Sequence, residues 1–574
     1  LKDSKEELMP EFPRSEASLN GGAPEQGKLT FLLNGESVVV ENPDPTLLLS
    51  DFLQESGLTG TKVACGQGGC GACTVMVSHR FDGQIAHRGV NACLRALCSL
   101  DGMAVTTTEG LGNVHHGLDP SQHCIPAHNG TQCGFCTPGF VMNCHALLRS
   151  KPEASEQDLE DSFGGNLCRC TGYRPILHGV RTLASDYDAA RDETPACLID
   201  PTFPISTRAE PVEINLSPPP AGLRHFQTTE REWFRPVSLE QALQLKSGFA
   251  KAHGPESVKL VVGNTAIGIY AHETPRFLID VSQLPELTTL REQEDGILVG
   301  ASVVIQDLLD FAELVITRRP AEQTTGLREL VRHGRLIAGR QVRSAGSVAG
   351  NIAITCSHAY EGEPFPSDLF IVLAALGTQV SLSPHPGHRL DMLEIPLGPL
   401  EPDTMFLSFL IPYTRDGDRV QTHRVARRKQ NSHPLVNAGF RARLSEDGRV
   451  EHLSAVFGGL ASMITPARQT IDFLTGKELK GDTLPQALEV LEKELAALEL
   501  FHDDEQVSAE YRLAVARNFF FKFCQHALGH PAGQHFLRPL SRGIQTFSQD
   551  PRMFPVSQPI LKQKAFVQAT GEVK

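Results

Sequence analysis

Apolar and polar positions change their period several times along the chain, and each change marks an expected element. Residues 28–40 alternate around Asn34-Gly35, which predicts a hairpin because Asn and Gly tolerate the positive φ of a two-residue turn. Residues 47–56 switch to helical spacing and put Leu48, Leu49, Phe52 and Leu53 on one face. Thr74-Val75-Met76-Val77 reads as a strand, and residues 103–107 read as the strand that closes the sheet. Further on, Thr137 is expected to cap a helix with Pro138 in its first turn, and Ser155 to cap a second helix reaching about Phe163, broken by Gly164-Gly165-Asn166. After a Pro-rich stretch a new unit opens at Trp233-Phe234-Arg235-Pro236, with Ser238 as a cap. Residues 259–262 read as a buried strand running into a tight turn. Beyond Val450, Thr465 is expected to cap a helix with Pro466 in its first turn. Leu484, Leu488, Leu491, Leu495 and Leu498 form a core stripe, and residues 508–528 form a helix rich in Phe519, Phe520, Phe521 and Phe523.

Length turns these elements into several units. A chain of 574 residues implies three or four separate cores. The net charge of −14 gives no basic surface for nucleic acid or anionic membrane, and no apolar run approaches the roughly 18 residues of a membrane span. Residues 1–27 are polar and rich in Pro, Gly and Glu, which reads as a mobile tail without a signal-peptide core. The 14 cysteines are clustered in a long chain, a pattern that suits metal-binding thiolates in a reducing, cytoplasmic compartment better than disulfides.

The cysteines carry the first chemistry. Cys65, Cys70 and Cys73, followed by Cys93, have the C-x4-C-x2-C…C spacing of plant-type [2Fe–2S] ligands. The glycines between them let the backbone turn through positive φ towards the sulfurs. Gly66, Gly68 and Gly71 also satisfy G-x-G-x-x-G, but the interleaved cysteines argue against a dinucleotide loop. With the surrounding strands this predicts a small ferredoxin-like β-grasp ending near Gly112. Cys133 and Cys136, then Cys168 and Cys170, could close a second four-thiolate site; taken alone they suit a [2Fe–2S] cluster or a four-cysteine zinc site equally.

The cysteine blocks, with Val90-Asn91-Ala92-Cys93, Thr131 to Gly139, and Gly165-Asn166-Leu167-Cys168-Arg169-Cys170-Thr171-Gly172-Tyr173-Arg174-Pro175, resemble the xanthine dehydrogenase/aldehyde oxidase family of molybdenum hydroxylases. The resemblance implies a second [2Fe–2S] cluster on Cys133, Cys136, Cys168 and Cys170 in a four-helix domain, with Gln132 touching molybdopterin. Two glycine turns are similar to that family's FAD-binding turns. One is Leu260-Val261-Val262-Gly263-Asn264-Thr265-Ala266-Ile267, whose tight turn can aim N–H groups at a pyrophosphate; the other is Ser347-Val348-Ala349-Gly350-Asn351. The same match implies flavin contacts from Asp368, Phe406 and Arg424.

Three departures from the family pattern matter. Ile337 stands before Ala338-Gly339 where the family often has an aromatic residue near the flavin. The segment between Asn351 and Asp368 is long and holds His358, Glu361 and Glu363, which read as an inserted surface loop in preference to a metal site. The loop Arg427-Arg428-Lys429-Gln430-Asn431-Ser432-His433-Pro434 lacks the acidic residues of NAD-using members and is similar to the aldehyde oxidase version, although a basic solvated face would look the same.

The expected fold class is multidomain α+β. It comprises a tail (1–27), a ferredoxin-like [2Fe–2S] domain (28–112), a helical [2Fe–2S] domain (113–194), a linker (195–226), an FAD-binding domain (227–415), a flavoprotein C-terminal α+β subdomain (416–535) and a linker into a molybdenum domain (536–574). The resemblance implies the electron-transfer portion of a molybdenum hydroxylase. Its electrons would run from molybdopterin, in another segment or partner chain, through two clusters to FAD and on to oxygen. The whole enzyme is expected to be a homo-oligomer, and the C-terminal residues resemble the opening of the molybdenum domain, as in the N-terminal part of a longer polypeptide. The matching portion of an NAD-dependent xanthine dehydrogenase is the alternative, and a non-catalytic interaction module is a third reading. No catalytic acid, base or nucleophile is nominated.

Overall fold

The computed structural model describes residues 25–81, 83–191, 214, 216, 222–270, 275–396, 398, 400–501, 507–530, 550–553, 556 and 560–573. Most of the tail expected over residues 1–27, most of the linker expected over 195–226, and residues 536–549 of the C-terminal linker lie outside the described residues.

The first sheet forms around the hairpin of β2 (Lys28–Leu33) and β3 (Glu36–Glu41), where Asn34 and Gly35 both take positive φ, 52° and 89°. The short helix α1 (Leu49–Glu55) follows, then β4 (Thr74–Phe81), β5 (Gln84–Asn91) and β6 (Ala104–Thr106). The order is β3-β2-β6-β4-β5. Residues 103–107 therefore do not close this sheet. β6 lies at its centre, parallel to β2 and antiparallel to β4. β4 is also longer than its apolar run, because the polar Ser78 and His79 continue the strand and are themselves buried. A two-residue strand, β1 (Glu25–Gln26), leaves this sheet and pairs with β7 of the next region.

Four helices come next: α2 (Pro120–Ala127), α3 (Thr137–Ser150), α4 (Glu156–Ser162) and α5 (Arg174–Arg181). Ser155 caps α4 as expected, in a reciprocal box with Asp158; such caps contribute about 1 kcal/mol. Thr137 is not a cap. Cys136 occupies that position without a capping side-chain bond, and Thr137 and Pro138 are the first two helical residues.

The third region begins with β7 (Arg224–Gln227), β8 (Glu232–Arg235), α6 (Leu239–His253), β9 (Val258–Val261) and β10 (Phe277–Asp280), in the order β1-β7-β8-β10-β9. Ser238 caps α6. The strand over residues 259–262 was expected to be buried, but β9 is the sheet's edge strand. Only Val261 is buried, because the open side faces a cavity. An antiparallel sheet follows, built from β11 (Leu290–Glu292), β12 (Gly296–Gly300), β13 (Gln379–Leu382), β14 (Arg389–Asp391) and β15 (Phe406–Pro412). Between β12 and β13 lie α7 (Ile305–Arg318), α8 (Ala321–Gly334), α9 (Arg340–Arg343), α10 (Val348–Tyr360) and α11 (Asp368–Leu376). α11 is apolar all round after Asp368 and buried along its whole length, as that composition requires.

The last region carries β16 (Asp418–Ala426), β17 (Pro434–Leu444), β18 (Val450–Gly458) and β19 (Thr465–Pro466), covered by α12 (Arg468–Leu474), α13 (Thr483–Ala496) and α14 (Ala509–Ala527). Thr465 and Pro466 pair with β18 instead of opening a helix, and α12 starts after Ala467. Phe519, Phe520 and Phe523 are buried while Phe521 points outward, as a helical period demands. A final turn of helix, α15 (Ala565–Ala569), returns to the helical region, where Phe566 stacks on His123 at 5.6 Å. No helix among the described residues is long and apolar enough to cross a membrane.

The first and third regions share a core. Phe226, Trp233 and Leu278 from the third pack with Leu29, Phe31 and Leu97 from the first. Beside this core the nearly buried Asp101 pairs with Arg224 Nε at 3.1 Å and Arg235 Nη1 at 3.6 Å. Removing either partner would strand a charge, so this ion pair fixes the register of the two regions.

Candidate functional site

The first cysteine group sits on an irregular loop ahead of β4, with Cys93 just after β5. Cys70, Cys73 and Cys93 are buried and Cys65 is exposed. Cys73 Sγ and Cys93 Sγ lie 3.3 Å apart, and the Gln67 amide donates to Cys65 Sγ at 3.3 Å. Contact with Cys70 lowers the Cys65 thiol, contact with Cys93 lowers Cys73 to about 7, and Cys70 and Cys93 are raised in return by Cys65. A set of mutually touching, partly ionised sulfurs in a loop with N–H donors is the donor chemistry that an iron–sulfur cluster takes. Two of the glycines are in close contact as well as at positive φ. A Cβ on Gly68 (φ +73°) would lie 2.4 Å from Leu94 Cδ1, and one on Gly71 (φ +67°) would lie 2.4 Å from the Gly165 carbonyl.

The second group is more open. Cys168 is buried, Cys136 partly so, and Cys133 and Cys170 are exposed. All four are free thiols, with Cys136 within hydrogen-bonding reach of Cys168 and Cys133 of Cys170, so they form two neighbouring pairs in the loops ahead of α3 and α5. Thr171 serves Cys168 twice, through its amide at 3.4 Å and its hydroxyl at 3.0 Å. Burial pushes the Cys168 thiol up, but the bonds from Thr171 outweigh it and hold the thiol below its usual value. Phe135 and Leu167 are exposed beside the group. Lys562 donates to the Gln132 carbonyl and Gln568 Nε2 to the Cys133 carbonyl at 2.7 Å, so the C-terminal segment lies against this loop.

The two groups touch. The Leu167 amide donates to the Cys70 carbonyl at 2.9 Å, and Asn166 Nδ2 to the Gly71 carbonyl at 3.3 Å. Asn166 Oδ1 in turn accepts from Asn143 at 2.9 Å and from Gln341 of α9 at 2.6 Å. One buried amide thus joins both cysteine loops to the third region. The residue order marks Asn166 only as part of a motif and gives no sign of Gln341, because nothing local marks residues whose role is a contact between distant segments.

A cavity of about 640 Å3 opens between β9, α9, α10 and α11, within the range of sites for organic ligands. Leu260, Val261, Val262, Gly263, Asn264, Thr265 and Ala266 line it, together with Ile337, Ser347, Ala349, Gly350, Asn351, Asp368 and Phe406. Gly263 is forced by space, since a Cβ there would lie 2.0 Å from the Ala345 carbonyl. Ser347 caps α10, and Ser367 Oγ bonds Asn351 Oδ1 at 2.5 Å, which fixes the second turn to the start of α11. Three expected flavin contacts fall outside the lining. Ile267 packs against the shared core, Val348 is fully buried in the core of the third region, and Arg424 stands behind Asp368. Gln132, expected at molybdopterin, lies in the second cysteine loop. The lining also includes Gln67, Gly68 and Leu94 beside the first cysteine group, and His433 of the loop before β17. Burial holds the His433 imidazole below its usual pKa.

The long segment before Asp368 is not the expected loop throughout, because α10 runs on to Tyr360. His358 is buried, its ring 4.7 Å from Tyr270 and 5.6 Å from Phe365, and its Nδ1 lies 3.2 Å from Glu363. Glu361 and Glu363 are exposed, although their ligand atoms and that of His358 lie within 4.8 Å of one another. The basic loop is likewise more than a solvated face: Asn431 Nδ2 donates to the Gly69 carbonyl and Gln430 Nε2 to the Arg335 carbonyl at 2.7 Å.

Two thiolate groups joined to an organic-ligand cavity define an iron–sulfur flavoprotein class. Family profiles agree segment by segment: a 2Fe-2S iron–sulfur cluster binding domain over residues 31–98 and a [2Fe-2S] binding domain over 107–181, then an FAD binding domain in molybdopterin dehydrogenase over 224–412 and a CO dehydrogenase flavoprotein C-terminal domain over 421–527. The chain is 31% identical to xanthine dehydrogenase of Oryza sativa over 99% of its own length and 46% of that protein. It is 33% identical to aldehyde oxidase 4 of Cavia porcellus over 95% and 44%. A solved carbon monoxide dehydrogenase of Hydrogenophaga pseudoflava superposes with a TM-score of 0.43 at 22% identity, over 53% of this chain and 98% of that one. The chain belongs to the xanthine dehydrogenase/aldehyde oxidase family and carries its two [2Fe–2S] domains and its FAD domain. It spans about half the length of the curated relatives it matches.

Proposed function

We propose that the chain is the electron-relay portion of a molybdenum hydroxylase, with Cys65, Cys70, Cys73 and Cys93 holding one [2Fe–2S] cluster and Cys133, Cys136, Cys168 and Cys170 the other. The observation that carries this is the shared wall: the FAD-sized cavity is lined by Gln67 and Gly68 of the first cysteine loop, whose Gly71 in turn touches the second. When bound, such clusters exchange single electrons and flavin exchanges two, so the set can convert one kind of traffic into the other.

The protein's part is placement. Thr171, Gln67 and Asn91 direct donors at the sulfurs, which favours thiolates over thiols. Asn166 and Gln341 hold the three regions at fixed separation. Gly263 lets the first turn close against the Ala345 carbonyl in the cavity wall, and Asp368 presents a carboxylate held below its usual pKa. Burial pushes that carboxyl up; His333, Arg424 and Asn437 outweigh it. The substrate-binding molybdenum site is assigned to another segment or partner chain, the whole enzyme to a homo-oligomer, and its compartment to the cytoplasm.

Oxygen is the proposed acceptor. The 427–434 loop brings no carboxylate to the cavity, and Asn431 ties that loop to Gly69. Quantifying iron, acid-labile sulfide and flavin on one purified sample tests the core of the proposal; two clusters' worth of iron and sulfide with one flavin is expected, and zinc without sulfide overturns it. Anaerobic reduction followed by mixing with NAD+ or with oxygen tests the acceptor; rapid reoxidation by NAD+ would reverse that assignment.

A further inference from the structure

Asp368 is the first residue of α11, capped by Ser367, and its carboxylate is 7% exposed in the cavity wall. Three donors from three elements grip it. Arg424 Nη1 of β16 lies 3.0 Å from Oδ2, and Asn437 Nδ2 of β17 lies 3.0 Å from Oδ1. The third donor is His333 Nε2 of α8, also 3.0 Å from Oδ1. His333 is 0% exposed and does not touch the cavity.

Its other nitrogen is equally engaged. Nδ1 lies 2.7 Å from Thr422 Oγ1, which in turn lies 2.8 Å from Glu329 Oε1. Glu329 is clamped by Arg332, with Nε at 2.7 Å and Nη2 at 2.6 Å. The chain Arg332–Glu329–Thr422–His333–Asp368 therefore runs from α8 through β16 to the cavity wall. Every link is 3.0 Å or less, and Glu329 and Thr422 are buried like His333. A ring bonded at both nitrogens in a closed interior cannot rotate without stranding at least one partner, which is costly in such surroundings.

We propose that His333 is a positioning residue for the flavin site: it fixes the orientation of the Asp368 carboxylate and so sets both the affinity of the cavity for FAD and the potential of the bound flavin. The inference rests on the assignment of this cavity to FAD. Removing the ring leaves the carboxylate gripped by Arg424 and Asn437 only, so its charge is less neutralised and the reduced, more electron-rich flavin is the less favoured form.

The experiment uses the full chain with its clusters in place. FAD dissociation constants and the two-electron flavin midpoint potential are measured for the unmodified chain, His333→Leu, His333→Gln and Thr422→Val, with iron content as the control for folding. His333→Leu should bind FAD about tenfold more weakly. Its potential should fall by roughly 30 mV, the equivalent of a tenfold bias against the reduced form for two electrons. His333→Gln, which can place an amide N–H near the Nε2 position, should recover most of both. Thr422→Val should shift both in the same direction by less. Unchanged affinity and potential in His333→Leu overturn the inference even if stability falls, because then the ring serves only the fold. If His333→Leu does not fold, unchanged values in Thr422→Val overturn it. An unmodified chain that keeps its iron but takes up no FAD sinks the flavin assignment itself, a different and visible failure.

Discussion

The two cysteine groups use the same number of sulfurs in opposite settings. In the first, three of four cysteines are buried, the neighbouring core belongs jointly to the β2–β6 sheet and the flavin sheet, and the loop forms part of the cavity wall. In the second, Cys133 and Cys170 are exposed and Phe135 and Leu167 stand uncovered beside them. The difference follows from what covers each loop. The first is closed by this chain's own third region, while the second, joined to the first through Leu167 and Asn166, keeps two exposed sulfurs beside the short segment around Lys562 and Gln568. In the proposed relay the buried group would be the interior station and the exposed group the port.

The largest expected effect comes from the ligands. Cys73→Ser and Cys170→Ser should each lose half of the iron, read by metal analysis. Cys73→Ser should also unfold at markedly lower temperature, because an unpaired hydroxyl replaces sulfur at a site 1% exposed; Cys170→Ser should keep the melting temperature close to that of the unmodified chain. Equal melting temperatures would erase the distinction between interior and port. Next in size is a pair of glycines with the same φ of +67°. Gly71→Ala meets the Gly165 carbonyl at 2.4 Å and should cost about 2–4 kcal/mol, strain and clash together. Gly172→Ala meets nothing within 4 Å and should cost only about 1 kcal/mol. Denaturant unfolding of the two variants measures the difference.

Much of this contrast was legible in the residue order, though unevenly. Cysteine spacing located both sites, because metal geometry imposes local rules that survive any surrounding fold. Strand order was not legible: β6 comes last of these strands in the chain yet sits centrally, since it enters between β2 and the earlier β4–β5 hairpin. β5 itself escaped notice because its polar residues hide the alternation, and Thr465-Pro466 imitated a helix start while serving as an edge strand. The FAD turns were found by resemblance, but Val348 and Ile267 turned inward, as alternate positions of any wall must. His333 left no trace, because a residue that acts through another has no motif.

Acid should act on the first region ahead of the second. Burial holds His87, on β5, down to about 4 and His79, on β4, well below its usual 6.5. A folded state that keeps these rings neutral binds fewer protons than the unfolded chain between about 6.5 and 4. The associated stability is therefore present above about pH 6.5 and lost as pH falls towards 4. Loss of visible absorbance from the first cluster during acid titration, earlier than loss of helical signal, is the expected reading; His79→Phe and His87→Gln should delay it.

The smallest effect on the isolated chain should come from Phe135→Asp. The ring is 46% exposed, so stability should stay within about 0.5 kcal/mol and iron content should not change. The consequence should appear only with the molybdenum-bearing segment or chain present. A charge placed on the port would have to be desolvated there, slowing reduction of the clusters by substrate while leaving reduction by dithionite intact. If substrate reduces the variant as fast as the unmodified enzyme, the open side of the second group is not the port, and the comparison between interior and port loses its functional meaning.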